Sequence, residues 1–237
     1  MVSYNCALDI GGAPPSPAAG HVETNESDIS DRYIATVYAP VRTTQPRRIL
    51  LTVPLAFPDP ALAADGIVLR LLEPGDVPWI TAACSDRELS RYIPAIPYPY
   101  AEADARAFIE RAARAWAEGS AATFVISDAP EGTGAGTIGL HLAAGDAGLA
   151  EVGYWLTREA RGRGAATIAV RLVSRWAFTA AGVDRLSLQT AAENLASQRV
   201  AERAGFTREG LLRAWMPTPG GRRHSVMFSL LATDTAC

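Results

Sequence analysis

The stretch Glu151-Val-Gly-Tyr-Trp-Leu-Thr-Arg-Glu-Ala-Arg-Gly-Arg-Gly-Ala-Ala166 decides how the rest of the chain is interpreted. Its first six residues predict a buried strand, and the residues after Ala166 have the spacing of an amphipathic helix. Between them, Gly162 and Gly164 predict a tight loop that enters the helix directly. Successive backbone N–H groups and the positive end of the helix dipole would then converge on one place, which favours the binding of an anion.

The loop matches neither of the two common nucleotide-binding loops. A Walker A loop ends in Gly-Lys-Ser/Thr, and no lysine occurs anywhere in this chain. The dinucleotide motif Gly-x-Gly-x-x-Gly also fails, because the residues after Gly164 read Ala-Ala-Thr. Taken alone, the loop is compatible with a phosphate cradle, to which Arg161 and Arg163 would add charge, or with a simple tight turn.

Regular secondary structure is predicted from Gly66 onward. The predicted strands span 67–72, 122–127, 137–142, 150–156, 185–190, 206–213 and 225–231, and the predicted helices span 73–85, 101–118, 165–180 and 195–204. Asp76 is expected to cap the first helix and Gly205 to end the last one, with a loop rich in proline and tyrosine at 91–100. This order predicts a mixed α/β domain in which one central sheet carries helices on its faces.

The first 65 residues differ from the rest. Half of the 16 prolines lie within the first 60 residues, and two β-prone runs, 33–41 and 49–55, lie between these breakers. We expect residues 1–65 to form an irregular extension that adds at most a hairpin, and residues 66–237 to form the domain. The extension could pack on the domain, pair with a second subunit or be partly mobile, and the sequence does not choose among these.

Composition excludes several classes of protein. The chain has 237 residues, a net charge of −3, 49% hydrophobic and 20% charged residues, which is a globular composition. It has neither an apolar run that could span a membrane nor the pattern of a signal peptide. Cys6, Cys84 and Cys237 are too far apart for a metal motif, and they predict reduced thiols and a cytoplasmic protein. The dispersed charge does not favour nucleic-acid binding.

Arg161-x-x-Gly164-x-Ala166 resembles the Gln/Arg-x-x-Gly-x-Gly/Ala signature with which the GNAT superfamily of N-acetyltransferases holds the pyrophosphate of acetyl-CoA. Further segments are also similar to that family: Glu151-Val-Gly-Tyr-Trp-Leu, Asn194-Leu-Ala-Ser197, Ala204-Gly205-Phe206 and Leu71-x-Glu73-x-x-Asp76. Together they are most similar to the RimJ/RimL-like branch, which acetylates the N-termini of ribosomal proteins. The resemblance covers residues 66–234.

The resemblance implies a single GNAT-type domain with a central mixed, mostly antiparallel sheet flanked by helices. It also implies transfer of an acetyl group from acetyl-CoA to a primary amine by direct attack in a ternary complex, with no metal and no enzyme nucleophile. The acceptor stays open between a small amine, such as an amino acid, polyamine or antibiotic, and a peptide or protein N-terminus, and so does a homodimer. A non-catalytic acyl-CoA-binding or regulatory domain is the alternative.

The same resemblance assigns residues to the donor. The implied acetyl-CoA contacts are Trp155, Leu156, Thr157, Arg161, Gly162, Arg163, Gly164, Ala165, Ala166 and Asn194. Arg158, Arg222 and Arg223 either reach the 3′-phosphate or are solvated surface charges.

The catalytic residues are less directly implied. Many family members have a tyrosine acid four residues before the Gly-Phe pair, but this chain has Ala201 there. In the RimJ/RimL-like branch the serine of Asn-x-x-Ser is given the donor role. Ser197 matches that serine, although it could also simply satisfy backbone N–H groups at a helix start. Glu151 is the leading candidate for the general base, while Asn194 either contacts the donor or caps the helix.

Tyr92, Tyr98 and His141 are the residues expected on the acceptor side. Tyr92 and Tyr98, together with Tyr100 in the same loop, are predicted walls of the acceptor pocket, with packing as the alternative. His141 could face the groove or be structural. His224 stands where relatives often carry an acid, whereas Trp79 and Trp116 are expected in the core.

Overall fold

The computed structural model describes residues 57–58, 61–129, 132–218 and 220–235. The β-prone runs at 33–41 and 49–55, as well as Cys6 and Cys237, lie outside these residues. Within them, the end of the predicted extension packs on the domain. The ring of Phe57 lies 5.9 Å from that of Trp116 and 6.3 Å from that of Phe124, measured between centroids.

One sheet of eight strands organises the described part of the chain, in the order β1-β2-β3-β4-β5-β6-β8-β7. All neighbouring strands are antiparallel except β5 and β6, which are parallel. The predicted mixed, mostly antiparallel sheet is therefore confirmed. The strands are β1 Ala63–Ala64, β2 Ile67–Leu71, β3 Ala121–Ser127, β4 Gly136–Ala143, β5 Asp146–Leu156, β6 Arg185–Ala191, β7 Thr207–Thr218 and β8 Gly221–Leu231.

Helices lie between the strands largely where the apolar spacing predicts them. They are α1 Val77–Cys84, α2 Arg87–Tyr92, α3 Glu102–Ala117, α4 Ala165–Thr179 and α5 Leu195–Arg203. The short helix α2 was not predicted, because six residues with one buried side chain, Leu89, show no readable period. It begins at Asp86, whose side chain accepts the Glu88 N–H at 3.0 Å.

Asp76 has a different role from the predicted helix cap. Its carboxylate accepts two hydrogen bonds from Arg70, at 2.9 and 2.7 Å, and one from the Trp79 indole N–H at 2.6 Å. It also accepts the backbone N–H of Glu73 at 2.8 Å. Asp76 therefore joins strand β2 to helix α1, and it orients Trp79, whose ring centroid lies 5.8 Å from that of Trp155.

The hairpin β7–β8 is longer than predicted because a bulge interrupts its alternation. Leu212 pairs with Ser225 and Met216 with Arg223, so residues 213–215 face a single residue of β8. Ala214 has a φ of 47°, and its N–H donates to Nδ1 of His224 at 2.8 Å. A sequence pattern with period two cannot reveal strand residues on both sides of such a bulge.

The core is divided between the two faces of the sheet. On one face, alternate residues of β5 pack with α4 and α5 in one cluster, which includes Val152, Tyr154 and Leu156. On the other face, Trp155 packs with apolar residues of α1, α2 and α3. Because side chains alternate along a strand, β5 contributes to both clusters and holds the two layers together.

Candidate functional site

Strands β5 and β6 separate after only three residue pairs. The pairs are Leu149 with Arg185, Ala150 with Leu186, and Glu151 with Ser187. Beyond them β5 continues to residue 156 and β6 to residue 191, and neither of these fully described strands pairs with the other there. The result is an opening in the sheet whose edges are backbone amides, which an extended ligand with its own amides can pair with.

The ladder between β4 and β5 decides which amides of β5 face this opening. The Thr157 N–H donates to the Ala135 carbonyl at 2.8 Å, toward the β4 side. Because backbone groups alternate along an antiparallel pair, the Trp155 N–H also faces β4, whereas Tyr154 and Leu156 face the opening. The Thr157 N–H is therefore bonded to β4 and does not face a ligand in the opening. Of the three residues expected to contact the pantetheine through their backbone, Leu156 is the one whose N–H faces the opening.

The predicted anion cradle lies where β5 leads into α4. Gly162 and Gly164 have φ values of +79° and +87°, in the left-handed region that favours glycine. The loop residues Gly162, Arg163 and Gly164 are exposed, and no atom of the described residues lies within 4 Å of a Cβ placed at either glycine. The fifteen-residue helix α4 begins immediately afterwards at Ala165. The residues present therefore fit a phosphate group at a helix N-terminus.

Arg161 does not point its charge into that cradle. Its Nη1 lies 2.6 Å from a carboxylate oxygen of Glu88, and its Nη2 lies 3.5 Å from one of Asp86. Its Nε donates to the Leu156 carbonyl at 3.3 Å. The guanidinium expected on the pyrophosphate is therefore engaged by helix α2, and the exposed Arg163 is the cradle arginine with a solvent-facing side chain.

A buried pair of hydroxyl groups spans the two sides of the opening. The hydroxyls of Tyr154 on β5 and Ser197 on α5 are 2.9 Å apart, with exposed fractions of 2% and 0%. Asn194 caps α5 by accepting the Ser197 N–H at 3.2 Å. Burial raises the pKa of Tyr154 above its ordinary value, an effect larger than the opposing hydrogen bond with Ser197, so the phenol is neutral.

Sequence reasoning did not single out Tyr154 as a functional residue. The available signal was its position within Glu151-Val-Gly-Tyr-Trp-Leu, since a tyrosine in a buried strand usually has a hydrogen-bond partner for its hydroxyl. The partner, Ser197, is 43 residues away, so only the packing of α5 against β5 reveals it.

A polar strip lies on the opposite face of the sheet from Tyr154. Glu151 pairs with His141 of β4 and with Ser187 of β6, so the three residues lie side by side on one face. Glu151 is buried, with 6% of its surface exposed, as is Gln189 two residues further along β6. The candidate base and the hydroxyl pair therefore lie on opposite sides of the opening.

His141 is held close to the backbone of β4. A Cβ placed at Gly139 would lie 2.8 Å from its Nε2. Burial lowers the pKa of His141 to about 4, so its imidazole is neutral and weakly basic at pH 7. This property disfavours His141 as the general base and leaves its place beside the acceptor groove as a prediction.

The tyrosines of the predicted acceptor loop have different environments. Tyr98 is 54% exposed, and the Arg87 guanidinium lies 4.9 Å from its ring centroid. Tyr92 is half-buried and packs against the cluster that contains Trp155. Tyr100 is hydrogen-bonded to Cys84, where burial raises the pKa of the thiol to about 12 despite that bond. A protonated, buried thiol is a poor nucleophile, which disfavours Cys84 as a catalytic nucleophile.

The arginines considered for the 3′-phosphate are all engaged by protein groups. Arg223 donates to the Arg91 carbonyl at 3.1 Å and pairs with Glu193 at 3.2 Å, which ties the β7–β8 hairpin to the predicted acceptor loop. Arg222 donates to the Ala214 and Trp215 carbonyls of the bulge, and Arg158 pairs with Asp86.

The described residues offer neither a metal site nor a membrane-spanning helix. No group of three or more His, Cys, Asp or Glu side chains within residues 57–58, 61–129, 132–218 and 220–235 could hold a metal ion. In the same part of the chain, no helix has both the length and the apolar character needed to cross a membrane.

Because His141 is neutral in the folded protein, it makes stability depend on pH. Its ordinary pKa of about 6.5 applies to the unfolded chain, which takes up the proton first as the pH falls. The contribution of His141 to the free energy of unfolding is therefore fully present above pH 6.5 and falls as the pH is lowered toward 4. Between pH 7 and pH 5 we expect urea unfolding to show an extra loss of about 1–2 kcal/mol that His141→Phe abolishes. Equal losses in both proteins would contradict this.

A family model and a curated relative that match this chain are both described as acetyltransferases. A family model described as "Acetyltransferase (GNAT) domain" matches residues 67–207. The "Uncharacterized N-acetyltransferase p20" of Bacillus licheniformis is 30% identical over 175 residues, which are 74% of this chain and 98% of that protein.

Solved structures with the same fold include two bound to CoA species. RimJ of Mycobacterium smegmatis in complex with CoA-disulfide has a TM-score of 0.64 and 22% identity, covering 72% of this chain and 84% of that chain. Spermidine N-acetyltransferase from Vibrio cholerae, in complex with CoA and spermine, has a TM-score of 0.61 and 21% identity, covering 71% of this chain and 97% of that chain. At these identities the likeness supports the fold alone.

Proposed function

The chain belongs to the GNAT family of acetyltransferases and is an acetyl-CoA-dependent N-acetyltransferase; on this premise we propose that a primary amine attacks acetyl-CoA directly while both are bound. The observation that carries the proposal is the opening between β5 and β6 beside the exposed glycine loop. One feature offers unpaired amides to an extended chain, and the other offers N–H groups to a phosphate.

The donor site combines these two features. Backbone groups of Tyr154 and Leu156 pair with the amides of the pantetheine arm, and the N–H groups of residues 162–164 hold the pyrophosphate with the help of Arg163. Because these N–H groups are fixed by the strand and the loop before a ligand arrives, they can stabilise negative charge without reorganising. When bound, acetyl-CoA would supply a thioester. Its acetyl group would pass to the amine nitrogen as the C–S bond breaks, and the CoA sulfur would leave as a thiolate that takes up the proton lost by the attacking nitrogen.

Proton transfer is assigned to the two sides of the opening. Glu151 removes a proton from the acceptor ammonium, since its buried carboxylate lies on the polar face of the sheet. Ser197 donates a hydrogen bond to the departing sulfur. Tyr154 supports Ser197 by donating to its oxygen, which leaves the serine hydrogen directed elsewhere; a neutral phenol suits this role.

The acceptor is proposed to be a small amine or a peptide rather than a standard ribosomal protein. The predicted extension and the departure at His224 from an acid found in relatives support this choice. Among proteins of the same fold, one is named RimJ and another is a spermidine N-acetyltransferase, so the fold accommodates different acceptors.

The donor site is tested by Gly164→Val. A β-branched residue at a φ of +87° strains the loop and fills the space before α4, so CoA affinity in calorimetry should fall at least about tenfold. The matched control is Gly145→Val, whose glycine has a φ of +84°, has equally open space and lies in the β4–β5 turn. Equal affinities of the two variants would overturn the cradle assignment.

The hydroxyl pair is tested by Ser197→Ala and Tyr154→Phe. We expect Ser197→Ala to lower kcat by about 10²-fold with little change in CoA affinity, and Tyr154→Phe to have a smaller effect in the same direction. Thiol release from acetyl-CoA with a panel of amines gives kcat, and calorimetry gives the CoA affinity. Ser174→Ala is the control, because Ser174 is a buried serine of helix α4. Full activity of Ser197→Ala would reduce Ser197 to a structural residue of α5.

The base is tested by Glu151→Gln. Loss of the carboxylate should lower kcat by about 10²-fold and move the acidic limb of the pH–rate profile, because the amide cannot accept the proton and the rate then follows the deprotonation of the amine itself. Glu110→Gln, which changes an exposed carboxylate on α3, should leave the profile unchanged. An unmoved acidic limb in Glu151→Gln would exclude Glu151 as the base. CoA binding without turnover of any amine would instead indicate a non-catalytic domain.

A further inference from the structure

Two carboxylates of helix α2 lie beside the loop that is proposed to bind phosphate. Glu88 and Asp86 contact Arg161 at 2.6 and 3.5 Å, and Asp86 also contacts Arg158 at 3.2 Å. Both arginines come from the segment between β5 and α4. The first turn of α2 is therefore joined to the donor loop by ion pairs between residues more than 70 positions apart in sequence.

Negatively charged carboxylates next to a phosphate site weaken phosphate binding unless a cation neutralises them, because like charges repel across a short distance. Arg161 provides this cation in a protected setting, since its side chain is only 16% exposed, whereas that of Arg158 is 68% exposed. Partial burial would raise the pKa of Asp86, but the Glu88 N–H and the charges of Arg158 and Arg161 hold it below its ordinary value. Asp86 is thus charged at neutral pH and depends on these partners.

The guanidinium of Arg161 is held at two of its three nitrogens. Nη1 donates to Glu88 and Nε donates to the Leu156 carbonyl, while Nη2 lies 3.5 Å from a carboxylate oxygen of Asp86. The Leu156 carbonyl and N–H both face the opening, so the bond from Nε occupies the carbonyl and leaves the N–H for a ligand. Arg161 is therefore fixed between helix α2 and strand β5 by its own contacts.

We propose that Arg161 supports CoA binding as a positioning residue: it neutralises Asp86 and Glu88 and orients Leu156 instead of contacting the pyrophosphate. The inference rests on the proposed donor site. It assigns the direct phosphate contacts to the backbone of residues 162–164 and to Arg163. It also makes α2 part of the donor site, and the same helix accepts a hydrogen bond from Arg223 at its Arg91 carbonyl.

The proposal is tested by removing the arginine and then the charges that it compensates. Arg161→Ala should weaken CoA binding in calorimetry at least about tenfold, because Glu88 then loses its arginine partner and Asp86 keeps only the exposed Arg158. Adding Asp86→Asn and Glu88→Gln to that variant should restore the affinity to within about threefold of the wild type. A direct phosphate ligand would not be replaced in this way, so a triple variant as weak as Arg161→Ala overturns the proposal.

Arg163→Ala supplies the comparison with a direct contact. Its loss of CoA affinity should persist when Asp86→Asn and Glu88→Gln are added, since no carboxylate was being compensated by Arg163. Equal rescue of the Arg161 and Arg163 variants would show a general charge effect and would overturn the assignment of distinct roles. Arg106→Ala removes the exposed ion pair with Glu102 on α3 and should leave CoA affinity unchanged.

The same experiments separate this inference from the donor site itself. Unfolding midpoints measured for each variant show whether weak binding follows from a loss of folded protein. If Gly164→Val leaves CoA affinity unchanged, the donor site is wrong and the proposal for Arg161 fails with it. If Gly164→Val weakens binding but Arg161→Ala does not, the donor site stands and only the role of Arg161 is overturned.

Discussion

Backbone pairing between β5 and β6 stops after Glu151 and Ser187, and the opening on which the candidate site is built follows from that interruption. Amides in a sheet interior must be satisfied, so strands that part must provide other partners or bind a ligand. Here Arg161 occupies the Leu156 carbonyl, and the bond between Tyr154 and Ser197 connects the two sides of the opening. These contacts connect the elements on the two sides of the opening, and the backbone groups that remain unpaired there can bind a ligand.

The alternation of side chains along β5 divides this opening into two environments. Glu151 and Trp155 lie on the face that packs with α1, α2 and α3, while Tyr154 lies on the face that packs with α4 and α5. A carboxylate and a hydroxyl pair thus lie at the same opening but on opposite faces of the sheet. Such separation suits a reaction in which one group loses a proton and another receives hydrogen bonding, because each environment can be tuned independently.

All the positive side chains that organise the site are arginines, as the chain has no lysine. The absence of lysine has a structural consequence. A planar guanidinium carries five N–H donors, which allows Arg161 to reach Glu88, Asp86 and the Leu156 carbonyl together. A lysine ammonium at residue 161 could not match that planar arrangement. The ion pairs between α2 and the donor loop therefore depend on the type of cation as well as on its charge.

The sequence by itself determined the order of the predicted elements and the glycine loop before α4, because these features rest on local spacing and local turn chemistry. For Asn194 it left two roles open, and the structure shows the cap of α5. Helix α2 and the bulge at Ala214 escaped it, since a six-residue helix and an interrupted strand have no readable period. Only the tertiary structure decided that Tyr154 meets Ser197 and that Arg161 turns to Glu88. Those contacts join residues 43 and 73 positions apart, and long-range packing, not local pattern, selects such partners.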